Sequence, residues 1–309
     1  MKFFNTFLLF TPFFAAAQIN SQAINKCQET DYKFFRQGQQ EQQSSKTYDA
    51  KGNLLMQTDV FSSQNTGNYT NEYLYVYDAK GNNIQVTNKQ NGQVKSITKK
   101  TYNVAGILTN ETTATDEKAA PLSLLSSENG EFVKVFYTQD GKTETIREKS
   151  TFNSTGQLLK KEVTNPSGKV LMSDTKTYNL QGKITQDIHF DATDKVSTKT
   201  DFLYDGNSNL LSDKTFRNEE LFAETQSEYD ASSKISKKTR LNGKGQIDYY
   251  FTYEYDAQGN MSKENYFYNN QKISVRAFEY DTQGNKIKET YFDRTGSVNM
   301  FKTWEFACK

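Results

Sequence analysis

Aspartate residues recur at one position of a repeated motif, directly after a tyrosine. They are Asp49, Asp78, Asp205, Asp230, Asp256 and Asp281. A row of carboxylates could ligate calcium, and two of them could act as the acid and base of a hydrolase. A structural role is favoured, because Asp at the first position of a turn bonds the local backbone and a Gly three residues later accepts the left-handed conformation. The hairpin spacing does not give the parallel coils of calcium-binding repeats, and nothing selects one catalytic pair.

Other reactive side chains are few. His189 is the only histidine, and it shares the polar face of its strand with Thr185 and Asp187. An exposed or lightly paired histidine is expected there. Without a second histidine or a usable thiol, neither a histidine metal cluster nor a Cys-His nucleophile is available. We therefore predict no catalytic residue, no metal site, no cofactor and no enzymatic activity.

Aromatic side chains are the remaining candidates for binding. Tyr249, Phe251 and Tyr253 alternate along one stretch, and Tyr73 and Tyr75 along another, so each set lies on one face of a strand. Such rows can stack on sugar rings or peptides, and they can equally be structural ladders. A structural role is the first expectation for the rows as a whole, and these five residues are the candidate binding residues.

The spacing of the motif predicts the elements that carry these side chains. Successive copies begin 25 or 26 residues apart, with one double step, at Tyr77, Tyr102, Phe152, Tyr178, Tyr204, Tyr229, Tyr255 and Tyr280. A weaker second copy follows each by twelve residues, which gives a strand of about eight residues and a turn of about four. The sequence thus predicts an all-β antiparallel meander of hairpin repeats. It forms one domain over residues 18–309, with an irregular loop near 113–130.

The composition predicts a thin sheet. Of the 309 residues, 35% are hydrophobic and 14% aromatic, and the mean hydropathy is -0.83. That is too polar for a thick core, so we expect a single elongated or curved, solenoid-like sheet of about 20 strands and about 100 Å. Cys27 and Cys308 would then lie at opposite ends, too far apart for a disulfide, which needs Cα atoms within about 7 Å. The 38 basic and 37 acidic residues predict no nucleic-acid partner.

The N-terminus has the pattern of a secretory signal peptide. Lys2 precedes an apolar run over residues 3–14, and Ala15, Ala16 and Ala17 follow it. We predict a signal peptide over residues 1–17 and export to the periplasm, cell surface or extracellular space. No later stretch is long and apolar enough for a spanning helix, so no transmembrane segment is expected in the mature chain.

The pattern Tyr-x-Tyr-Asp-x-x-Gly-Asn resembles the YD (Rhs-type) repeats, with the best matches at residues 75–82, 253–260 and 278–285. The resemblance implies β-strand ribbons on exported or cell-surface proteins, some of them linked to carbohydrate binding. Large members coil the ribbon into a shell around a toxin. Here the Gly is followed by Asn, Lys or Gln where the family commonly has Arg, and neither a self-cleaving segment nor a toxin domain is recognisable. A toxin-carrier role is therefore not implied.

Together these features predict a non-catalytic secreted or envelope protein, a binding or scaffold module for a polymer (a glycan) or a protein partner. Exposed end strands could also pair with another copy. Two alternatives stay open. One is an inhibitor or immunity-type protein with one tight protein partner, contacted through the 113–130 loop. The other is a carboxylate-based hydrolase of an extracellular polymer.

Overall fold

The computed structural model describes residues 27–62, 67–116, 118–128 and 131–308. Over these ranges the chain forms one sheet of 22 strands, all paired antiparallel. In chain order they are β1 (Cys27–Arg36), β2 (Gln39–Tyr48), β3 (Leu54–Phe61), β4 (Tyr69–Tyr77), β5 (Asn83–Gln90), β6 (Gln93–Tyr102), β7 (Leu108–Ala114), β8 (Pro121–Glu128), β9 (Glu131–Tyr137), β10 (Glu144–Phe152), β11 (Leu158–Thr164), β12 (Val170–Tyr178), β13 (Ile184–Asp191), β14 (Val196–Tyr204), β15 (Leu210–Arg217), β16 (Glu220–Tyr229), β17 (Ile235–Asn242), β18 (Ile247–Tyr255), β19 (Met261–Tyr268), β20 (Gln271–Tyr280), β21 (Lys286–Phe292) and β22 (Val298–Cys308). The all-β antiparallel meander is confirmed. The predicted signal peptide lies outside the described residues.

The meander closes into a barrel. Each strand pairs with the next, and β22 pairs with β1 in a ladder that runs from Arg36 opposite Met300 to Cys27 opposite Cys308. The expected open, solenoid-like ribbon is therefore wrong. Closure gives the N–H and C=O groups of both end strands a partner, which an open ribbon leaves exposed. The expectation that the two cysteines lie far apart is wrong for the same reason.

The wall of the barrel is a single layer. Among the described residues, the buried hydrophobic side chains are Leu108, Leu125 and Ala223. At about 4.8 Å per strand, the 22 strands of the described chain make a barrel at least about 34 Å across. These few side chains cannot fill that width, so the wall is one thin sheet, as the composition predicted.

The stretch at 113–130 differs from the expected irregular loop. β7 continues to Ala114, and β8 begins at Pro121 and pairs with both neighbours, placing Ser123 opposite Thr113 and Phe136. The leucines of this stretch, Leu122, Leu124 and the buried Leu125, thus belong to a strand of the wall.

One rim of the barrel is built from turns that share one set of hydrogen bonds. After Tyr280, the Asp281 N–H donates to the Asn285 carbonyl (3.0 Å) and the Gly284 N–H donates to the Asp281 carbonyl (3.1 Å), with Gly284 at φ 83°. The Asp281 Oδ1 accepts the N–H of Asn285 at 2.8 Å, and the Asn285 amide donates to Oδ2 at 2.8 Å. The same backbone bonds recur at Asp49, Asp78, Asn103, Asn153, Asn179, Asp205, Asp230 and Asp256. We call this the turn rim; the role of Asp as a turn cap is confirmed.

Tyrosine hydroxyls connect neighbouring hairpins along the turn rim. The Tyr255 hydroxyl donates to the carbonyl of Ile235, the first residue of β17, at 2.8 Å. The ladder register shifts at Tyr255, which turns its ring toward that strand. The equivalent bonds are made by Tyr48, Tyr77, Tyr102, Tyr178, Tyr204, Tyr229 and Tyr280. Each tyrosine therefore fixes the end of one strand to the start of the strand before it.

The tyrosine bond can be tested with Tyr255→Phe. Removal of one hydroxyl should lower the free energy of unfolding by about 1 kcal/mol, because the Ile235 carbonyl loses its partner. Urea unfolding followed by circular dichroism measures the change. The matched control is Tyr268→Phe, since the Tyr268 side chain is exposed. Equal effects of the two substitutions would contradict the role of the Tyr255 hydroxyl.

The turn cap predicts a specific pH dependence. The hydrogen bond from the Asn285 side chain holds the pKa of Asp281 below its ordinary value. A carboxyl with a lowered folded pKa stabilises the fold above its unfolded pKa of about 3.9 and loses that contribution as the pH falls through the folded pKa. Asp281→Asn should keep the backbone cap, as Asn179 does, and flatten the loss of stability in acid. Asp281→Ala should lower the thermal midpoint at neutral pH by roughly 2 °C. An identical loss of stability in acid for wild type and Asp281→Asn would contradict this role of the Asp281 carboxylate.

Candidate binding site

Three aromatic rings cluster on one face of β18 and β19. Phe251 and Tyr266 are directly opposite in the ladder, and their ring centroids lie 5.2 Å apart. Tyr249 packs edge-on against both, with centroid distances of 5.7 Å to Phe251 and 5.7 Å to Tyr266. Cross-strand aromatic pairs of this kind stabilise a sheet and hold the rings in fixed orientations. We call these three residues the Phe251 cluster.

An ionic network begins on the next strand. The register places Arg276 of β20 between Glu264 of β19 and Tyr291 of β21. Its Nη2 lies 3.1 Å from the Glu264 Oε1, and its Nε lies 3.8 Å from the Glu289 Oε1. The guanidinium carbon lies 5.2 Å from the centroid of the Tyr291 ring. Two carboxylates and one ring thus fix the plane of the Arg276 side chain.

Glu289 is the buried carboxylate of this network. It is 4% exposed, and it accepts hydrogen bonds from Lys286 Nζ at 2.7 Å and from the Tyr291 hydroxyl. Burial acts to raise the pKa of Glu289, but the bonds from Lys286 and Tyr291 outweigh it and hold the pKa below its ordinary value. Glu289 is therefore an ionised carboxylate at neutral pH, and its charge is met by Lys286 and Arg276.

An open depression of about 260 Å³ lies between the aromatic cluster and the ionic network. Its lining residues are Phe251, Glu264, Tyr266, Ser274, Val275, Arg276 and Tyr291. We call it the Arg276 depression. The Arg276 side chain is 38% exposed, so its guanidinium remains reachable from solvent. The depression offers ring surfaces beside fixed hydrogen-bond donors and acceptors.

The structure brings together part of the predicted aromatic set. Phe251 lines the Arg276 depression and Tyr249 supports it from the side. Tyr253 lies next along β18, opposite Glu264, and burial raises its pKa to about 12. Tyr73 and Tyr75 lie on β4, eight strands away around the barrel, and do not join this site.

Sequence reasoning missed Tyr266, Arg276, Glu264 and Tyr291. Their only signal was their position on β19, β20 and β21, the three strands that follow β18, and the pairing register was needed to place them together. The Asn that ends each Asp-x-x-Gly-Asn turn was part of the motif, but its side-chain bond to the Asp was not predicted, although the pair recurs in Asp49/Asn53 and Asp78/Asn82.

A larger depression of about 450 Å³ lies on the turn rim, between the turns that begin at Asp78 and Asn103. Turn residues such as Lys80 and Val104 line it, and the Lys80 ammonium donates to the Val104 carbonyl at 3.4 Å. The Asp78 carboxylate is already engaged by Asn82. This hollow follows from the side-by-side packing of two turns, and it lacks a ring cluster like that around Phe251.

The only histidine is paired with a carboxylate. His189 Nδ1 lies 2.7 Å from the Asp174 Oδ1, and the neighbouring Lys176 binds Asp187. The lightly paired histidine expected from the sequence is thus found. Within the described ranges, no three His, Cys, Asp or Glu side chains are grouped so as to hold a metal ion. The same ranges contain no helix with the length and apolar character needed to cross a membrane.

Fold and site together define a closed, all-β barrel of hairpin repeats with an aromatic and ionic depression on its wall. Solved structures with similarity include TcdB2-TccC3 with Cdc42 (11% identity, TM-score 0.40, 86% of this chain and 17% of that chain). The Photorhabdus luminescens Tc holotoxin pore is also similar, with 12% identity and a TM-score of 0.27 over 88% of this chain and 18% of that chain. A porin-like protein from Bacteroides uniformis has 10% identity and a TM-score of 0.32 over 90% of this chain and 96% of that chain. This chain spans less than a fifth of the Tc toxin chains, and similarity at these scores carries no functional inference.

No protein-family model matches this sequence, and no curated protein matches it either.

Three half-buried tyrosines, two of them at the site, predict that part of the tyrosine titration occurs at unusually high pH. Burial raises the pKa of Tyr253 to about 12, and it raises those of Tyr75 and Tyr291 to about 12 as well. A tyrosine whose pKa is raised in the folded chain stabilises the fold fully at pH values below its unfolded pKa near 10. That stabilisation is lost as the pH rises toward the folded pKa of about 12. The ultraviolet absorbance of tyrosinate should therefore show a phase near pH 12, and Tyr253→Phe should reduce its amplitude. Complete titration of the folded protein about a unit lower would contradict the burial of these hydroxyls.

Proposed function

We propose that this chain is an exported, non-catalytic repeat barrel that binds a glycan polymer through the Arg276 depression. The observation that carries the proposal is the placement of Phe251 and Tyr266 ring surfaces beside an Arg276 guanidinium held by Glu264 and Glu289. Sugar rings present C–H faces that pack on aromatic rings, and their hydroxyls pair with charged donors and acceptors.

The state of the carboxylates supports binding over hydrolysis. A glycoside hydrolase of the two-carboxylate type needs one carboxylic acid with a raised pKa to protonate the leaving group. The pKa of Glu289 is lowered instead, and its oxygens are occupied by Lys286 and Tyr291. The pKa values of the turn residues Asp49 and Asp281 are lowered by the side-chain bonds of Asn53 and Asn285.

The wall of the barrel suits a scaffold role. Its repeats fix one another through the turn rim, so that a surface such as the Arg276 depression is held by backbone ladders on both sides. Export is proposed from the N-terminal pattern at residues 1–17. Assignment to the YD (Rhs-type) repeats is likewise a proposal, supported by the Tyr-Asp-x-x-Gly-Asn turns that the Tyr77 and Tyr280 hydroxyls brace.

Binding can be tested with a panel of soluble neutral and acidic polysaccharides, using calorimetry on the purified chain. We expect at least one polysaccharide to bind, and Tyr266→Ala to weaken that binding about tenfold, because a stacking surface is lost. Arg276→Gln should weaken it through loss of the charged donor. The matched control is Tyr73→Ala, which removes a similar ring from the distant strand β4.

Three outcomes would redirect the proposal. Equal binding by wild type and Tyr266→Ala would exclude the Arg276 depression as the site. No binding to any polysaccharide, with capture of a peptide instead, would favour a protein partner. Release of new reducing ends from a bound polysaccharide would favour the hydrolase alternative.

A further inference from the structure

The barrel is closed by a strand pair that no turn connects. β1 and β22 lie at the two ends of the described chain, so their pairing is the most distant in sequence of all the ladders. We call the pairing of β1 with β22 the seam. Two aromatic contacts lie across it: the ring centroids of Tyr32 and Trp304 are 5.5 Å apart, and those of Phe35 and Phe301, which are stacked, are 4.4 Å apart. Both contacts lie away from the turn-rim end of the seam, where β1 begins and β22 ends.

That end of the seam carries both cysteines of the chain. Cys27 is the first residue of β1, Cys308 is the last residue of β22, and the ladder makes them direct Cα partners. Directly opposed residues of an antiparallel ladder have Cα atoms about 4.5 to 5.5 Å apart. A disulfide requires about 4.4 to 6.8 Å, so the backbone places the two residues within bonding range. We propose that Cys27 and Cys308 form an intramolecular disulfide that clasps the seam of the barrel.

The bond forms by thiol–disulfide exchange with a disulfide oxidant, either oxidised glutathione or a protein disulfide of the exporting compartment. One cysteine thiolate attacks a sulfur of the oxidant, giving a mixed disulfide and releasing one oxidant thiolate. The second cysteine thiolate then attacks the protein sulfur of the mixed disulfide and releases the other oxidant thiolate. Cys27 and Cys308 together lose two protons and two electrons, and the oxidant disulfide becomes two thiols.

The disulfide joins β1 and β22, the strand pair that no turn connects. Every other strand pair is kept together by a short connection, whereas β1 and β22 must meet across nearly the whole chain. A cross-link that closes so long a loop restricts the unfolded chain strongly. It also prevents β1 and β22 from separating at the turn rim and exposing two strand edges.

Trypsin offers a direct test, because Lys26 precedes Cys27 and Lys302 lies before the C-terminal segment. The full chain is refolded with reduced and oxidised glutathione, alkylated without reduction and digested. We expect peptides 27–33 and 303–309 to appear joined, with a mass equal to their sum less two hydrogens, and to separate on reduction. Alkylated thiols at both positions, or a disulfide-linked dimer on a non-reducing gel, would overturn the proposal.

Stability gives a second readout that does not depend on ligand binding. The disulfide should raise the thermal midpoint of the oxidised chain by roughly 5 to 10 °C over that of the double variant Cys27→Ser, Cys308→Ser. Both should show the same β-sheet circular dichroism. Reductant should lower the midpoint of the wild type to that of the variant and leave the variant unchanged. A wild-type midpoint that does not respond to reductant would contradict a clasp on the seam.

Discussion

Backbone hydrogen bonding between neighbouring strands is the constraint on which this structure depends. The wall is one layer thick, and within the described chain only Leu108, Leu125 and Ala223 are buried hydrophobic residues. Burial of apolar surface therefore cannot come from a packed core, and the ladders and cross-strand pairs must hold the sheet. A long sheet of this kind would have two exposed edges. Pairing of β1 with β22 removes both of them.

The turns of the turn rim reverse the chain with the same set of hydrogen bonds in successive repeats. Each Asp or Asn cap sets the turn, and the left-handed residue three positions later lets the chain reverse. Where a tyrosine precedes the cap, its hydroxyl bonds the neighbouring hairpin. Ser208 and Ser233 adopt φ angles of 66° and 59° at the glycine position, so the cap is strong enough to hold a residue with a side chain there. Because each turn depends only on its neighbours, the repeat tolerates such changes one copy at a time.

The Arg276 depression shows how a flat wall can acquire a specific surface. Side chains alternate along each strand, and the antiparallel register decides which of them meet on one face. At β18 to β21 this brings together the Phe251 cluster, the exposed guanidinium of Arg276 and the buried carboxylate of Glu289. The charges within the network are balanced, and the hydrogen bonds from Lys286 and Tyr291 hold the pKa of Glu289 low, so this carboxylate lacks the proton that acid catalysis requires.

The sequence alone determined the local features: the hairpin period, the strands, the Asp281 type of turn cap and the alternation of Tyr249, Phe251 and Tyr253. These depend on residues within a few positions of one another, and their chemistry is readable in one repeat. Only the tertiary structure decided that β22 meets β1, that Cys27 is the partner of Cys308, that residues 121–128 form a wall strand and that Arg276 lies between Glu264 and Glu289. Closure depends on small curvatures summed over every strand, and neighbours across a ladder depend on register. Neither quantity is encoded in any single stretch of the chain.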